Sequence, residues 1–248
     1  MNKTVVRIAN ILDYIAKSER CPTISNISRD LDIPKSSTFD IIHTLLELDF
    51  LTVKDSKIMS LGLGIKAFEI GHQYLHQIEF WEVIHSGLEQ LVSRIKKSVF
   101  FWSNETNDMV VLDFLPHDRT LYPNVGVGFR KSIFDGGSGK VYIASLTDEK
   151  IGAMLPGGFS KEAWMDEICR IRENGYYVSD KDMIDNETLS ISVPVFNYQN
   201  QCCGVITIYD LKSRITNGLM ETITCETKNT ALSISQQMGY LGKKLYPF

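Results

Sequence analysis

Apolar residues recur three and four apart through the first fifty positions. Val5, Ile8, Ile11, Leu12 and Ile15 form the inward stripe of a first amphipathic helix, which ends before Cys21-Pro22. A short second helix holds Ile24, Ile27 and Leu31, with Thr23 or Ser25 as its cap. Asp32-Ile33-Pro34 breaks the pattern, and Pro34 opens a third helix running to about Leu48. Its apolar stripe reads as Phe39, Ile42, Leu45 and Leu46, and its opposite side as Ser36, Ser37, Asp40, His43, Thr44 and Glu47. Two strand-like runs follow, 50–53 and 57–60, with Lys54-Asp55-Ser56 as the turn between them. Helix, short helix, helix, hairpin is the order of a winged helix-turn-helix.

Ala67, Ile70 and Tyr74 then mark a linker helix from Ile65 to about Gln77. Trp81, Ile84, Leu88, Leu91, Val92 and Ile95 mark the next helix. The period changes to two at 99–103 and 109–114, which predicts strands. Helices are expected over 139–146 and 161–174, strands over 189–196 and 204–209, and a last helix over 217–238. Hairpins flanked by helices predict an α+β domain with a largely antiparallel sheet. The expected organisation is a DNA-binding domain over 1–62, a linker over 63–77 and an effector domain over 78–245.

The composition of the 248 residues is that of an ordinary globular chain, 44% hydrophobic and 23% charged. No apolar run approaches the length that spans a membrane, and no secretory leader is visible, which predicts a cytoplasmic protein. Cys21, Cys169, Cys202, Cys203 and Cys225 contain no Cys-x-x-Cys pair and read as reduced thiols. Net charge is −4, and residues 1–60 balance eight Lys and Arg against eight Asp and Glu. Any affinity for DNA therefore has to come from local geometry.

That geometry is available. Small polar side chains on the third helix let it approach a major groove, where they bond phosphates or base edges. The expected DNA contacts are Ser25, Lys35, Ser36, Ser37, Thr38, Asp40, His43 and Thr44, with Lys54 and Lys57 at the hairpin tip. The stretch from Ile24 to Thr38, ISNISRDLDIPKSST, resembles the helix-turn-helix signature of the IclR family of bacterial transcriptional regulators. Leu45-Leu46-Glu47-Leu48-Asp49-Phe50-Leu51 is similar to its wing entry, and Leu61-Gly62-Leu63-Gly64 to its link into the second domain. Residues 175–180, 191–196 and 213–216 resemble its effector domain, so the likeness runs from about residue 3 to 240. It implies a GAF-like effector domain, a small organic acid as ligand, double-stranded DNA as partner, and a homodimer or homotetramer paired through the first and linker helices. It implies no cofactor and no metal. Where the family usually carries Arg, this chain has Asp40, which repels phosphate but can accept from cytosine N4.

Asp135-Gly136-Gly137-Ser138-Gly139-Lys140 precedes a helix, and glycines at a helix N-terminus suit an anion. Phe134 and Val141 stand where a P-loop needs Gly and Ser or Thr, and Lys140 stands where a nucleophile elbow needs its last Gly. The resemblance carries ligand contact onto Gly137, Ser138, Ser190, Thr207 and Tyr209, and onto Asp180 or Ser179. Thr207 and Tyr209 share one strand face, opposite Ile206 and Ile208. Hydroxyls around an anion cradle suit a hydroxylated acid such as a sugar acid. His43, His72, His76, His85 and His117 are scattered and assemble no metal signature. A repressor controlled by an organic acid is the leading expectation. A sensor acting through a protein partner is the alternative, and a hydrolase using Ser138 the third.

Overall fold

The structure is a computed structural model and describes residues 2–18, 20–76, 81–117, 125–155, 160–179 and 187–246. Asn2 starts α1 (Lys3–Lys17) by accepting the Thr4 and Val5 amides. Thr23, not Ser25, caps α2 (Ile24–Asp30), and a capping box with Asn26 completes that end. Asp32 turns the chain with φ 50°, and α3 runs from Lys35 to Glu47. Ile11, Ile15, Ile27, Ile33, Ile41, Ile42, Leu45, Leu51 and Leu61 form one small core.

The hairpin differs from the sequence reading. β1 (Leu51–Asp55) pairs antiparallel with β2 (Ser60–Leu63), so the turn is 56–59 and Lys54 lies in a strand. Two local forces set this register. Leu61 is fully buried, so the second strand starts where it can reach the core. Asp55 accepts the Lys57 amide at 2.8 Å, and Met59 takes φ 50° to close the turn. α4 (Ile65–His76) follows.

The chain divides into two compact units, Met1–Glu79 and Phe80–Phe248. The second opens with α5 (Trp81–Ile95), β3 (Val99–Glu105) and β4 (Asp108–Leu115). Next come β5 (Arg130–Ser132), α6 (Gly136–Ala144), α7 (Asp148–Met154) and α8 (Lys161–Asn174). β6 (Tyr177–Ser179), β7 (Thr188–Phe196), β8 (Cys202–Leu211) and α9 (Asn217–Gln237) complete it. The sheet order is β5-β4-β3-β8-β7-β6, antiparallel throughout, so the fold is α+β.

Period-two alternation gives this sheet two different faces. Ile191, Val193, Ile206 and Ile208 lie on the side of α5 and α9 and join one large apolar core. Ser190, Ser192, Thr207, Tyr209, Phe100 and Trp102 lie on the other face, where α6 packs on β6, β7 and β8. Cys202 and Cys203 sit half-buried in β8, their thiols donating to Gly204 O and Val195 O. Burial pushes the Cys202 thiol up to about 11 and raises that of Cys203 further, which keeps both protonated at neutral pH.

Candidate nucleic-acid and effector sites

On α3 the inward stripe is Thr38, Ile41, Ile42 and Leu45. Two sequence readings are corrected here. Thr38 is completely buried, and its hydroxyl donates to Pro34 O at 3.1 Å, so it has no surface to offer DNA. Phe39 is not core but 49% exposed, because the i, i+3, i+4, i+7 stripe starts one residue earlier than the apolar side chains suggest. Its ring packs on His43, centroids 4.1 Å apart. The outward surface of α3 therefore carries Lys35, Ser36, Phe39, Asp40 and Thr44 exposed, with Ser37 and His43 half-buried. Thr44 spends its donor on Asp40 O at 3.0 Å. Ser25 is exposed at the start of α2, and Lys54 and Lys57 are exposed on the hairpin. Phe39 was the residue the sequence hid, since an aromatic beside an apolar stripe reads as core.

Tyr14 ties α1 to α2 through a 2.5 Å hydrogen bond to Asp30, which also takes the Arg29 guanidinium at 2.7 Å. Arg29, then Tyr14, holds the Asp30 carboxyl below its ordinary range. One cation on α2, Arg29, is thus engaged within the protein.

The second candidate site lies between α6 and the polar face of the sheet. A Cβ on Gly137 would meet Ser192 Oγ at 2.9 Å and Ser190 Oγ at 3.1 Å, and one on Gly139 would meet Ile133 O at 1.8 Å. Glycine is what lets the first turn of α6 lie directly on the hydroxyls. Asp135 makes no side-chain cap hydrogen bond at the start of α6. Ser138 is fully buried in that turn, and its Oγ has no hydrogen-bond partner among the described residues. Ser190 and Thr207 are fully buried and Tyr209 nearly so, and Ser192 bonds Thr207 at 3.0 Å. Gly137, Ser138, Ser190, Thr207 and Tyr209 are therefore brought together. Asp180 lies outside the described residues.

The structure adds groups that the sequence did not single out. Lys131 is buried, donates to Tyr209 OH at 3.1 Å and stands 4.5 Å from the centre of the Trp102 ring. Lys140 reaches Glu167 at 2.9 Å and Tyr177 OH at 3.0 Å, and Tyr177 OH donates to Glu167 at 2.8 Å. Burial works against the Lys140 ammonium, but the Tyr177 and Glu167 bonds outweigh it and raise its pKa above 10.5. Strand parity alone would have found Ser192, two residues on from Ser190. A lysine in a three-residue strand gives no such signal. At its far end α6 is gripped by Arg172, which donates to Ala144 O and Leu146 O, and by Tyr246 OH on Val141 O.

The IclR helix-turn-helix domain matches residues 4–55, and the bacterial transcriptional regulator IclR C-terminal domain matches residues 72–236. This chain belongs to the IclR family. It is 25% identical to the HTH-type transcriptional regulator KipR of Bacillus subtilis (strain 168), over 96% of this chain and 98% of that protein. It is 24% identical to the HTH-type transcriptional repressor AllR of Escherichia coli (strain K12), over 92% of this chain and 88% of that one. The IclR of Thermotoga maritima shares its fold with a TM-score of 0.79 at 20% identity, covering 96% of this chain and 99% of that one. An IclR homologue from Microbacterium hydrocarbonoxydans, solved with 4-hydroxybenzoate, gives a TM-score of 0.79 at 16% identity, covering 95% and 99%. The chain is thus a DNA-binding transcriptional regulator of the IclR family, not an enzyme, and the sensor with little DNA binding and the Ser138 hydrolase fall away. Among the described residues no helix is long and apolar enough to cross a membrane.

Proposed function

We propose that this IclR-family regulator is a cytoplasmic repressor whose grip on DNA is set by a small hydroxylated carboxylic acid. Residues 1–62 read the operator through the outward surface of α3 and the hairpin, and residues 78–245 hold the acid. The observation that carries the effector reading is the buried Ser138 hydroxyl in the first turn of α6, which has no hydrogen-bond partner among the described residues. A buried hydroxyl without a partner costs about 1–3 kcal/mol, and an acid that accepts from it recovers that loss. The carboxylate also lies at the positive end of the helix. Ser190, Ser192 and Thr207 offer hydroxyls to a hydroxylated carbon chain. The Microbacterium homologue's 4-hydroxybenzoate is itself a hydroxylated acid.

The regulator works as a homo-oligomer in this reading. Val5 on α1 is 60% exposed, and Ile65, Phe68 and Ile70 on α4 are 61%, 65% and 52% exposed. Apolar rings and branches left in water along two helices are what a second copy covers.

The test is thermal unfolding of the whole protein against a panel of organic acids. Hydroxylated acids should raise Tm, and Ser138→Ala should lose at least about tenfold in affinity for them, the worth of a charge-assisted hydrogen bond. Stabilisation by apolar aromatic acids alone would refute the proposed chemistry.

A further inference from the structure

The base edges that α3 can read follow from the chemistry of its outward side chains. Its 13 residues hold no arginine, and its one lysine, Lys35, stands at the first position. The bidentate Arg contact to guanine is therefore absent from this helix. Opposite the buried line of Thr38, Ile41, Ile42 and Leu45 stand Ser36, Phe39, Asp40, His43 and Thr44. Thr44 spends its donor on Asp40 O, and a serine such as Ser36 bonds phosphates and several base edges alike. Phe39 and Asp40 are more selective. Phe39 is 49% exposed, and its ring rests on the half-buried His43 ring, centroids 4.1 Å apart and planes tilted by 41°. Among base edges in the major groove, the thymine C5-methyl is the apolar feature that a phenyl ring can pack on. A ring already braced by a neighbour loses little freedom on meeting it. The Asp40 side chain is exposed and makes no hydrogen bond or ion pair among the described residues. A carboxylate only accepts. Cytosine offers its N4–H groups with no acceptor beside them, whereas adenine sets N7 next to its N6–H groups, which repels a carboxylate.

We infer that Phe39 and Asp40 are the specificity-determining pair of the recognition helix: Phe39 packs on a thymine methyl, and Asp40 accepts from a cytosine N4 within about two base pairs of it. This rests on the reading of α3 as the groove-facing helix and names the bases that helix selects. The spacing follows from the chain. Neighbouring Cα atoms are about 3.8 Å apart, close to the rise of about 3.4 Å per base along one DNA strand. The two side chains also leave the helix about 100° apart, so they meet different bases. Phosphates repel the Asp40 carboxylate, so its favourable position is at a base edge and not at the backbone.

Selection of the full chain on a pool of random duplexes gives its preferred duplex, and titration at fixed salt then tests each base. Each thymine in turn is replaced by deoxyuridine, which lacks only the methyl. At one thymine of each half-site the wild type should lose about fourfold in affinity, the worth of one buried methyl. Phe39→Ala should show no loss there. Asp40→Asn should exchange a preference for cytosine for one for adenine, within two base pairs of that thymine, because a side-chain amide bonds adenine N6 and N7 together. The swing should be at least about fivefold, the low end for one mismatched base pair. Both side chains are exposed, so both variants keep the fold. A deoxyuridine loss that persists in Phe39→Ala, or a base preference unchanged in Asp40→Asn, would overturn the inference alone. If both variants, and Ser36→Ala with them, match wild type in affinity and preference, α3 is not the reading helix and both readings fall. A chain that selects no duplex removes the groove reading, and this inference with it.

Discussion

Thr38 and Phe39 are neighbours with opposite duties. The Thr38 hydroxyl closes onto Pro34 O inside the core, whereas Phe39 stands half in water beside His43. Thr38→Ala should therefore lower the unfolding free energy by about 1–2 kcal/mol, from a lost buried hydrogen bond and a small cavity. Phe39→Ala should change stability by no more than about 0.5 kcal/mol and weaken operator binding instead. Urea unfolding followed by DNA titration of both variants at fixed salt separates the two effects. The sequence could not sort this pair, because a threonine beside a phenylalanine on an amphipathic helix gives the wrong guess from polarity alone. One residue of phase, about 100° of helix, exchanges core and surface. The same limit hid Lys131 and Trp102, whose meeting depends on strands distant in sequence.

Elements with long period and clear ends were legible. α8 begins where Ser160 accepts the Ala163 amide and ends where Gly175 takes φ 77°, and the sequence reading placed both ends correctly. β5 and β6 have three residues each, too short for alternation to register, and α7 has seven. The hairpin was misread because Asp55 and Met59 set its turn through backbone conformation, which alternation does not encode. α6, α8 and β6 are tied by Lys140, Glu167 and Tyr177. The Lys140 pKa is raised in the folded protein, with burial opposed and outweighed by its two partners. Its contribution to stability is thus fully present below the ordinary value of 10.5 and lost as pH rises through the folded value. The Tm gap between wild type and Lys140→Met should be constant from about pH 8 to 10 and shrink above about 10.5. A gap that widens with alkali would contradict that sign.

At the scale of the whole molecule, the proposed function requires the regulator to join copies and couple two ligands. Phe68 is 65% exposed on α4, and a charge there opposes any apolar contact between copies. Phe68→Glu should shift sedimentation toward monomer by at least about tenfold in dissociation constant and leave acid binding intact. In the proposed dimer, two recognition helices related by a two-fold axis would read half-sites about one helical turn apart. Coupling is a free energy between the acid site and the DNA site, so it must be reciprocal. The most direct test of acid-controlled DNA binding is one linked titration: operator affinity at fixed salt with and without a stabilising acid, and acid affinity with and without operator. The acid should lower operator affinity by about five-fold or more, and operator should lower acid affinity by the same factor. An acid that binds at the Ser138 pocket while operator affinity stays unchanged would contradict it.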